Sequence, residues 1–458
     1  MGKRIITLSG FLILITLAGA LRTLCLAAEV EAQAPAQAHS QAQTHGEKIK
    51  FRGQMRADFS QYSYEGAGDG RWQAGTRFML KSVRLPVEGL GMETDFRYRY
   101  YNSEWKRSLK ALYEMAVFHR PSAEGIYWKG GRFNLYDLSG IGELDGVAAG
   151  WSFSRNFLGG LYRGSEPDLT EIKTDTDYRK TGLFLNYHQP GGFQAIGSWN
   201  QITYAGLRER TFLYDQLFVP LWKRIYCYQH AEYELGPQTE DQLSRFFFNG
   251  RFDLNRSISM TGSYYQGKGY DYHRMLLEKT KAGLTPATED LEPYYWYQDL
   301  GFRLSGKPTQ GQRISGHISV AQRERGGDIL PRCGVSYFID GLPGGLLGER
   351  VGGGVNFSRC IEAQTIGSRR GAQTRRDMLS LEMNSELKDW LTVSLGYTNY
   401  TFQLVEEGTE IISPPDSSEY ELGFSARVSR KFLIYGSTRY RVDNYNSWQN
   451  YLSLIYRL

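Results

Sequence analysis

The feature that most constrains this chain is an alternation of two, repeated along almost its whole length. In "ETDFRYRYYN", Phe96, Tyr98 and Tyr100 fall on one side of an extended strand, while Asp95, Arg97 and Arg99 fall on the other. Successive side chains of a strand point to opposite faces, so this spacing separates an aromatic face from a charged one. A helix would mix the two sets. The rhythm returns at Phe51, Gly53, Met55, Ala57 and Phe59 against Lys50, Arg52, Gln54, Arg56 and Asp58. It returns again at Ile314, Gly316, Ile318 and Val320, and at Tyr420, Leu422, Phe424, Ala426 and Val428.

One such strand suits a half-buried sheet in any soluble protein. Repetition from residue 48 to the end, in segments of about 10 to 13 residues, demands another environment. A sandwich core would draw on Leu, Ile and Val, whereas this chain carries 32 Tyr, 23 Phe and 52 Gly in 458 residues. Strands of about 9–11 tilted residues cross a bilayer, and aromatic girdles mark its two interfaces. The mean hydropathy of −0.46 fits the same picture, because each lipid-facing residue is averaged with a lumen-facing one.

The expected fold is therefore all-β: a transmembrane antiparallel up-and-down barrel of about 22 strands, within a range of 18–22. Loop lengths test the count, since such barrels keep short turns on the periplasmic side and long loops outside. Short connections fall at Pro190, Asn255, Lys388 and Arg430; long ones fall at 164–177, 268–293, 359–375 and 404–417, on the other parity. A longish loop at 341–348 is the exception. At the end of the chain Leu452, Leu454, Tyr456 and Leu458 alternate. They resemble the C-terminal assembly signal of bacterial outer-membrane proteins, with Leu454, Tyr456 and Leu458 as its residues and Leu458 in place of the usual aromatic.

The first 28 residues read as a signal peptide: Lys3 and Arg4, an apolar run at 5–17, then small residues. Cleavage follows Ala20, or lies near Ala27 or Ala28. Removing this stretch takes away Lys3, Arg4 and Arg22 and no acid, so a net charge of +5 becomes +2. That near-neutral total argues against a nucleic-acid partner. Residues 29–47 are Ala- and Gln-rich and read as a disordered linker before the barrel at 48–458. The linker is too short to fold as a plug of the kind siderophore transporters carry.

Opposite the apolar faces stand the candidate lumen-lining residues Arg52, Arg56, Arg77, Lys81, Glu93, Asp95, Arg97, Arg99, Arg245, Arg251, Asp253, Asp299, Arg303, Glu382, Glu386, Glu419, Glu421, Arg427, Arg439 and Arg441. An Arg or Lys in hydrocarbon costs about 2–4 kcal/mol at the midplane, so these side chains require water or protein around them. Taken singly each is a wall-stiffening ion pair; together they make a polar interior that can set a transverse field. The loop 268–293 either folds inward to narrow the pore or stays at the surface. Arg369, Arg370, Arg375 and Arg376, in the loop after Cys360, form a basic patch that meets anionic lipopolysaccharide or an acidic partner, or is simply solvated.

Cysteine and histidine add little chemistry. Cys333 and Cys360 can bridge neighbouring loops, leaving Cys227 alone. The seven His have no metal-ligand spacing, so no metal site is expected. No His-Glu-x-x-His, phosphate-binding loop or complete nucleophile elbow occurs, and no enzyme is expected. The chain lacks Cys-x-x-Cys-His, so haem enters only through a partner cytochrome.

These patterns identify the chain as similar to Gram-negative outer-membrane porin-like barrels. Within it, "GGRFNLYDLSGIGELDGVAAGWSF" at 130–153 resembles a hairpin of δ-proteobacterial porin-type barrels. Some of those barrels are proposed sheaths of porin–cytochrome conduits. The resemblance implies outer-membrane lipid and the barrel assembly machinery as partners, with multihaem c-type cytochromes as a further one. Three functions remain open: a channel for small hydrophilic solutes or ions, a cytochrome sheath for electron transfer, and a polysaccharide export channel.

Overall fold

A computed structural model describes residues 50–458 apart from 65–70, 85–86, 103–108, 169–172, 236–242, 270–294, 323–328, 344, 367–368, 405–415 and 444–445. The expected signal peptide and linker thus lie outside the described residues, as does nearly all of the loop 268–293.

Among the described residues, twenty-two strands follow one another. The first six are β1 (Lys50–Tyr64), β2 (Arg71–Arg84), β3 (Leu90–Tyr101), β4 (Leu109–His119), β5 (Gly125–Asn134) and β6 (Glu143–Ser154). Next come β7 (Phe157–Asp168), β8 (Lys173–His188), β9 (Gln194–Tyr204), β10 (Leu207–Trp222), β11 (Ile225–Glu234) and β12 (Leu243–Asp253). They continue with β13 (Ile258–Gly269), β14 (Tyr295–Gly306), β15 (Gln312–Gln322), β16 (Ile329–Pro343) and β17 (Arg350–Ile366). The last are β18 (Arg369–Lys388), β19 (Leu391–Leu404), β20 (Ser417–Arg427), β21 (Phe432–Val442) and β22 (Ser447–Arg457). Each pairs antiparallel with its neighbours in sequence, and β22 pairs with β1 from Ser447 opposite Tyr64 to Arg457 opposite Gln54. The sheet is closed, so it has no free edge.

Register fixes the two faces. Residues opposite each other on paired strands share a face. Tracing partners around the wall puts Leu161, Leu183, Leu300, Ile318, Val335, Leu381 and Leu422 on one surface, all of them well exposed. An apolar surface of that extent is tolerated in lipid rather than water. Aromatic residues rim it at both ends. Trp222 and Trp390 lie beside the β10–β11 and β18–β19 turns, while Trp72 packs on Phe59 and Tyr100, and Tyr440 on Trp448, toward the other end. The chain is a transmembrane barrel of the outer-membrane type. No helix among the described residues is long and apolar enough to cross a membrane.

The expected alternation in length holds only in part. Residues 164–177, expected as a long loop, are mostly strand, because β7 runs on to Asp168 and β8 starts at Lys173, and the odd connection at 205–206 has only two residues. Connections after even-numbered strands never exceed six residues, whereas those after odd-numbered strands reach the stretch between Gly269 and Tyr295. The exception at 341–348 shrinks, because β16 runs on to Pro343 and a single 3-10 turn at Gly345–Leu347 completes the reversal.

Two further expectations are corrected. Residues 359–375 are mostly strand rather than loop: the β17–β18 ladder continues through Glu362 opposite Thr374 to Ile366 opposite Arg369. Backbone pairing persists there although the apolar alternation has ended, because beyond the bilayer both faces meet water. The four arginines therefore do not form one patch; Arg375 and Arg376 fall on opposite faces of β18. Nor does a disulfide join Cys333 to Cys360. Cys333 lies opposite Arg359 and Cys360 opposite Arg332, one rung apart, so the two side chains leave the wall in opposite directions.

Candidate functional site

The inward face is the candidate site, and its most structured part is the connection between β5 and β6. Residues 135–142 turn into the barrel around a one-turn helix, α1 (Tyr136–Ser139). Apolar residues at three-residue intervals anchor the segment. Leu135 is fully buried, and Leu138 and Ile141 pack against Phe133, Leu144, Ala148, Leu158, Tyr162 and Phe184 of the wall. Ile141 also meets Ile196, Phe212 and Tyr214.

Hydrogen bonds then pin the backbone. The Ser139 carbonyl accepts from the Ser198 hydroxyl at 2.9 Å and from Asn200 Nδ2 at 3.3 Å. Tyr162 donates to Asn200 Oδ1 at 2.5 Å, and Lys180 Nζ donates to the Glu143 carbonyl at 3.1 Å. Gly140 has φ of 71°, and a Cβ there would sit 2.7 Å from the Tyr214 ring, so the turn requires glycine twice over. The segment is held against β7–β10, on one side of the lumen.

Register places every lumen-lining candidate on the face opposite the exposed apolar belt. On β1–β3 they are Arg52, Arg56, Arg77, Lys81, Glu93, Asp95, Arg97 and Arg99. On β12 and β14 they are Arg245, Arg251, Asp253, Asp299 and Arg303. On β18–β21 they are Glu382, Glu386, Glu419, Glu421, Arg427, Arg439 and Arg441. Many meet as ladders. Asp95, whose side chain is 7% exposed, accepts from Arg77 Nε at 2.8 Å and lies 3.5 Å from Arg97. Arg439 reaches Glu419 at 3.1 Å and Glu421 at 3.0 Å. Arg251 pairs with Asp253 at 2.8 Å, and Arg245 with Glu232 at 2.9 Å.

The charge is uneven. The β1–β3 wall sets Arg52, Arg56, Arg77, Lys81, Arg97 and Arg99 against Asp58, Glu93 and Asp95. Arg52, Lys81 and Arg99 make no ion pair among the described residues. A second basic region is a recess of about 550 Å³ at the turn end of β12–β16, where Arg251, Arg256, Lys307 and Arg313 accompany Asp253 and Glu382.

Several site residues escape sequence reasoning. Arg210 bridges Glu232 and Glu234 at 2.6 and 2.5 Å and stacks 4.0 Å over Phe212. Lys129 pairs with Glu93, and Lys180 with Glu166. Phe133, Tyr162, Phe184 and Phe212 point inward, although aromatics elsewhere mark the lipid face. The available signal was Leu135, Leu138, Ile141 and Leu144, a three-residue apolar period interrupting the two-residue one.

No family model matches the chain, and no curated protein does. Solved structures similar to it include Pseudomonas aeruginosa OccK11 (OpdR), at 9% identity and a TM-score of 0.42, covering 90% of this chain and 96% of that one. Pseudomonas aeruginosa OpdL is similar at 9% identity and a TM-score of 0.42, over 90% and 98% of the two chains. Acinetobacter baumannii OccAB4 is similar at 10% identity and a TM-score of 0.40, over 91% and 100%. At this distance the likeness assigns no residue a role.

Proposed function

We propose that the barrel is a passive outer-membrane channel for small hydrophilic solutes, that it favours anions, and that segment 135–142 narrows it. The observation that carries this reading is a charged inward face running around the wall, with that segment the one inward-folded connection among the described residues. Barrels of about 16–18 strands already leave an aqueous path, so 22 leave room for one even beside an inward fold. The excess of cations on β1–β3 raises the local concentration of anions and lowers that of cations.

Planar-bilayer recording tests it. Purified protein in a salt gradient should give discrete steps and a reversal potential of the anion-selective sign. G140A forces a side chain against Tyr214 and should loosen the narrowing segment, raising single-channel conductance. A silent bilayer under folded, inserted protein would sink the channel reading.

The same width supports a second reading, a sheath around multihaem c-type cytochromes, with haem supplied by that partner alone. The two part on one observation. Barrel isolated gently from its own membrane would carry a stoichiometric visible haem band as a sheath and none as a channel.

A further inference from the structure

We propose that the outward surface of β7, β8 and β10 binds the phosphorylated head group of an outer-leaflet lipid through Arg163, Arg179 and Arg208. Register places them. Arg163 stands between Val147 and Thr181, Arg179 between Ser165 and Thr203, and Arg208 opposite Thr203. These partners share the face of Leu161, Leu183 and Leu213, so all three guanidinium groups leave the barrel on its lipid side. Arg179 and Arg208 flank Thr203, two strand spacings or about 10 Å apart. Arg163 is the diagonal neighbour of Arg179, at about 7–8 Å. Arms of that length and spacing converge on one bulky anionic head.

Among the described residues no acid pairs with them. All three are exposed. Asp177, two residues nearer the rim than Arg179 and on the same parity, does not reach it. The other outward arginines among the described residues come with an acid: Arg132 with Asp145, and Arg359 and Arg375 with Asp377. Three like charges held together repel, and an anion from outside relieves that repulsion.

Position selects a lipid as the source of the anion. The arginines sit at the end bearing the longer connections, which faces outside in barrels of this class. Arg208 adjoins the turn at 205–206. Immediately nearer the barrel's middle come Leu161, Leu183, Leu185 and Leu213, four well-exposed side chains that suit acyl chains. A phosphate above and hydrocarbon below is the layout of a phosphorylated lipid. Arginine suits the upper part because its planar fork grips phosphate oxygens two at a time. This inference rests on the membrane setting and not on what crosses the lumen.

The test uses full-length protein in mild detergent, mixed in turn with diphosphoryl lipid A, its dephosphorylated form, and inorganic phosphate, with bound lipid counted by native mass spectrometry. Wild type should retain diphosphoryl lipid A about tenfold more than the dephosphorylated form, the preference that one charge-assisted contact supports. R163Q/R179Q/R208Q should lose that preference while keeping the gel mobility of a folded barrel. R179Q alone, the central position, should lose part of it and serves if the triple variant fails to fold. Equal retention by the folded variants overturns the proposal, as does equal binding of the dephosphorylated lipid. Displacement by inorganic phosphate at concentrations equal to the lipid's would assign the arginines to free anions, and would overturn the lipid reading too.

Discussion

Asp95 shows what one residue does in this wall. It is the acceptor for Arg77 and a close neighbour of Arg97, and little of it is exposed. D95N halves the acceptor and strands two guanidinium groups, at an expected cost of about 1–3 kcal/mol read from denaturant unfolding in detergent. An unchanged midpoint would mean that lumen water solvates the pair and that it contributes nothing. The side of the wall on which Asp95 stands was legible from Phe96, Tyr98 and Tyr100 alone, because parity is local. Its partner was not. Cross-strand register depends on where each turn falls, so the Arg210 link to Glu232 and Glu234, between strands, left no trace in spacing.

At the scale of an element, one strand carries opposite requirements on alternate residues. On β20, Leu422 faces lipid and Glu421 faces the lumen beside Arg439. L422K should destabilise the folded barrel by about 2–4 kcal/mol if the position lies near the midplane. E421K should cost less when both variants are unfolded by denaturant from lipid vesicles, and should instead move the reversal potential toward anions. Equal costs would refute the assignment of faces. The reading of all elements by period two failed in two places for different reasons. Above the membrane, β17 and β18 continue where the apolar signal stops, since water on both sides removes the selection for it. Inside, segment 135–142 brings its own apolar surface, and Phe133, Tyr162 and Phe184 turn toward it; a dry patch in the lumen reverses the local rule.

For the whole molecule, closure is the governing fact. The ladder between β1 and β22 removes both edges that a 22-stranded sheet would otherwise expose. Leu454 and Tyr456 stand on its outward side opposite Ala57 and Met55, and the Leu458 amide donates to the Gly53 carbonyl at 3.0 Å. Unboiled protein should therefore migrate in SDS gels as a compact band distinct from the boiled form. Truncation of residues 452–458 should abolish that band, and its survival would show that closure does not need this seam. The inward segment has a different consequence. Because it is seated against β7–β10 while unpaired cations crowd β1–β3, the free passage is off-centre and unlike on its two flanks. In the proposed channel, a solute carrying its negative charge at one end would turn that end toward β1–β3, so tumbling rate and shape, more than diameter, would set how fast it crosses.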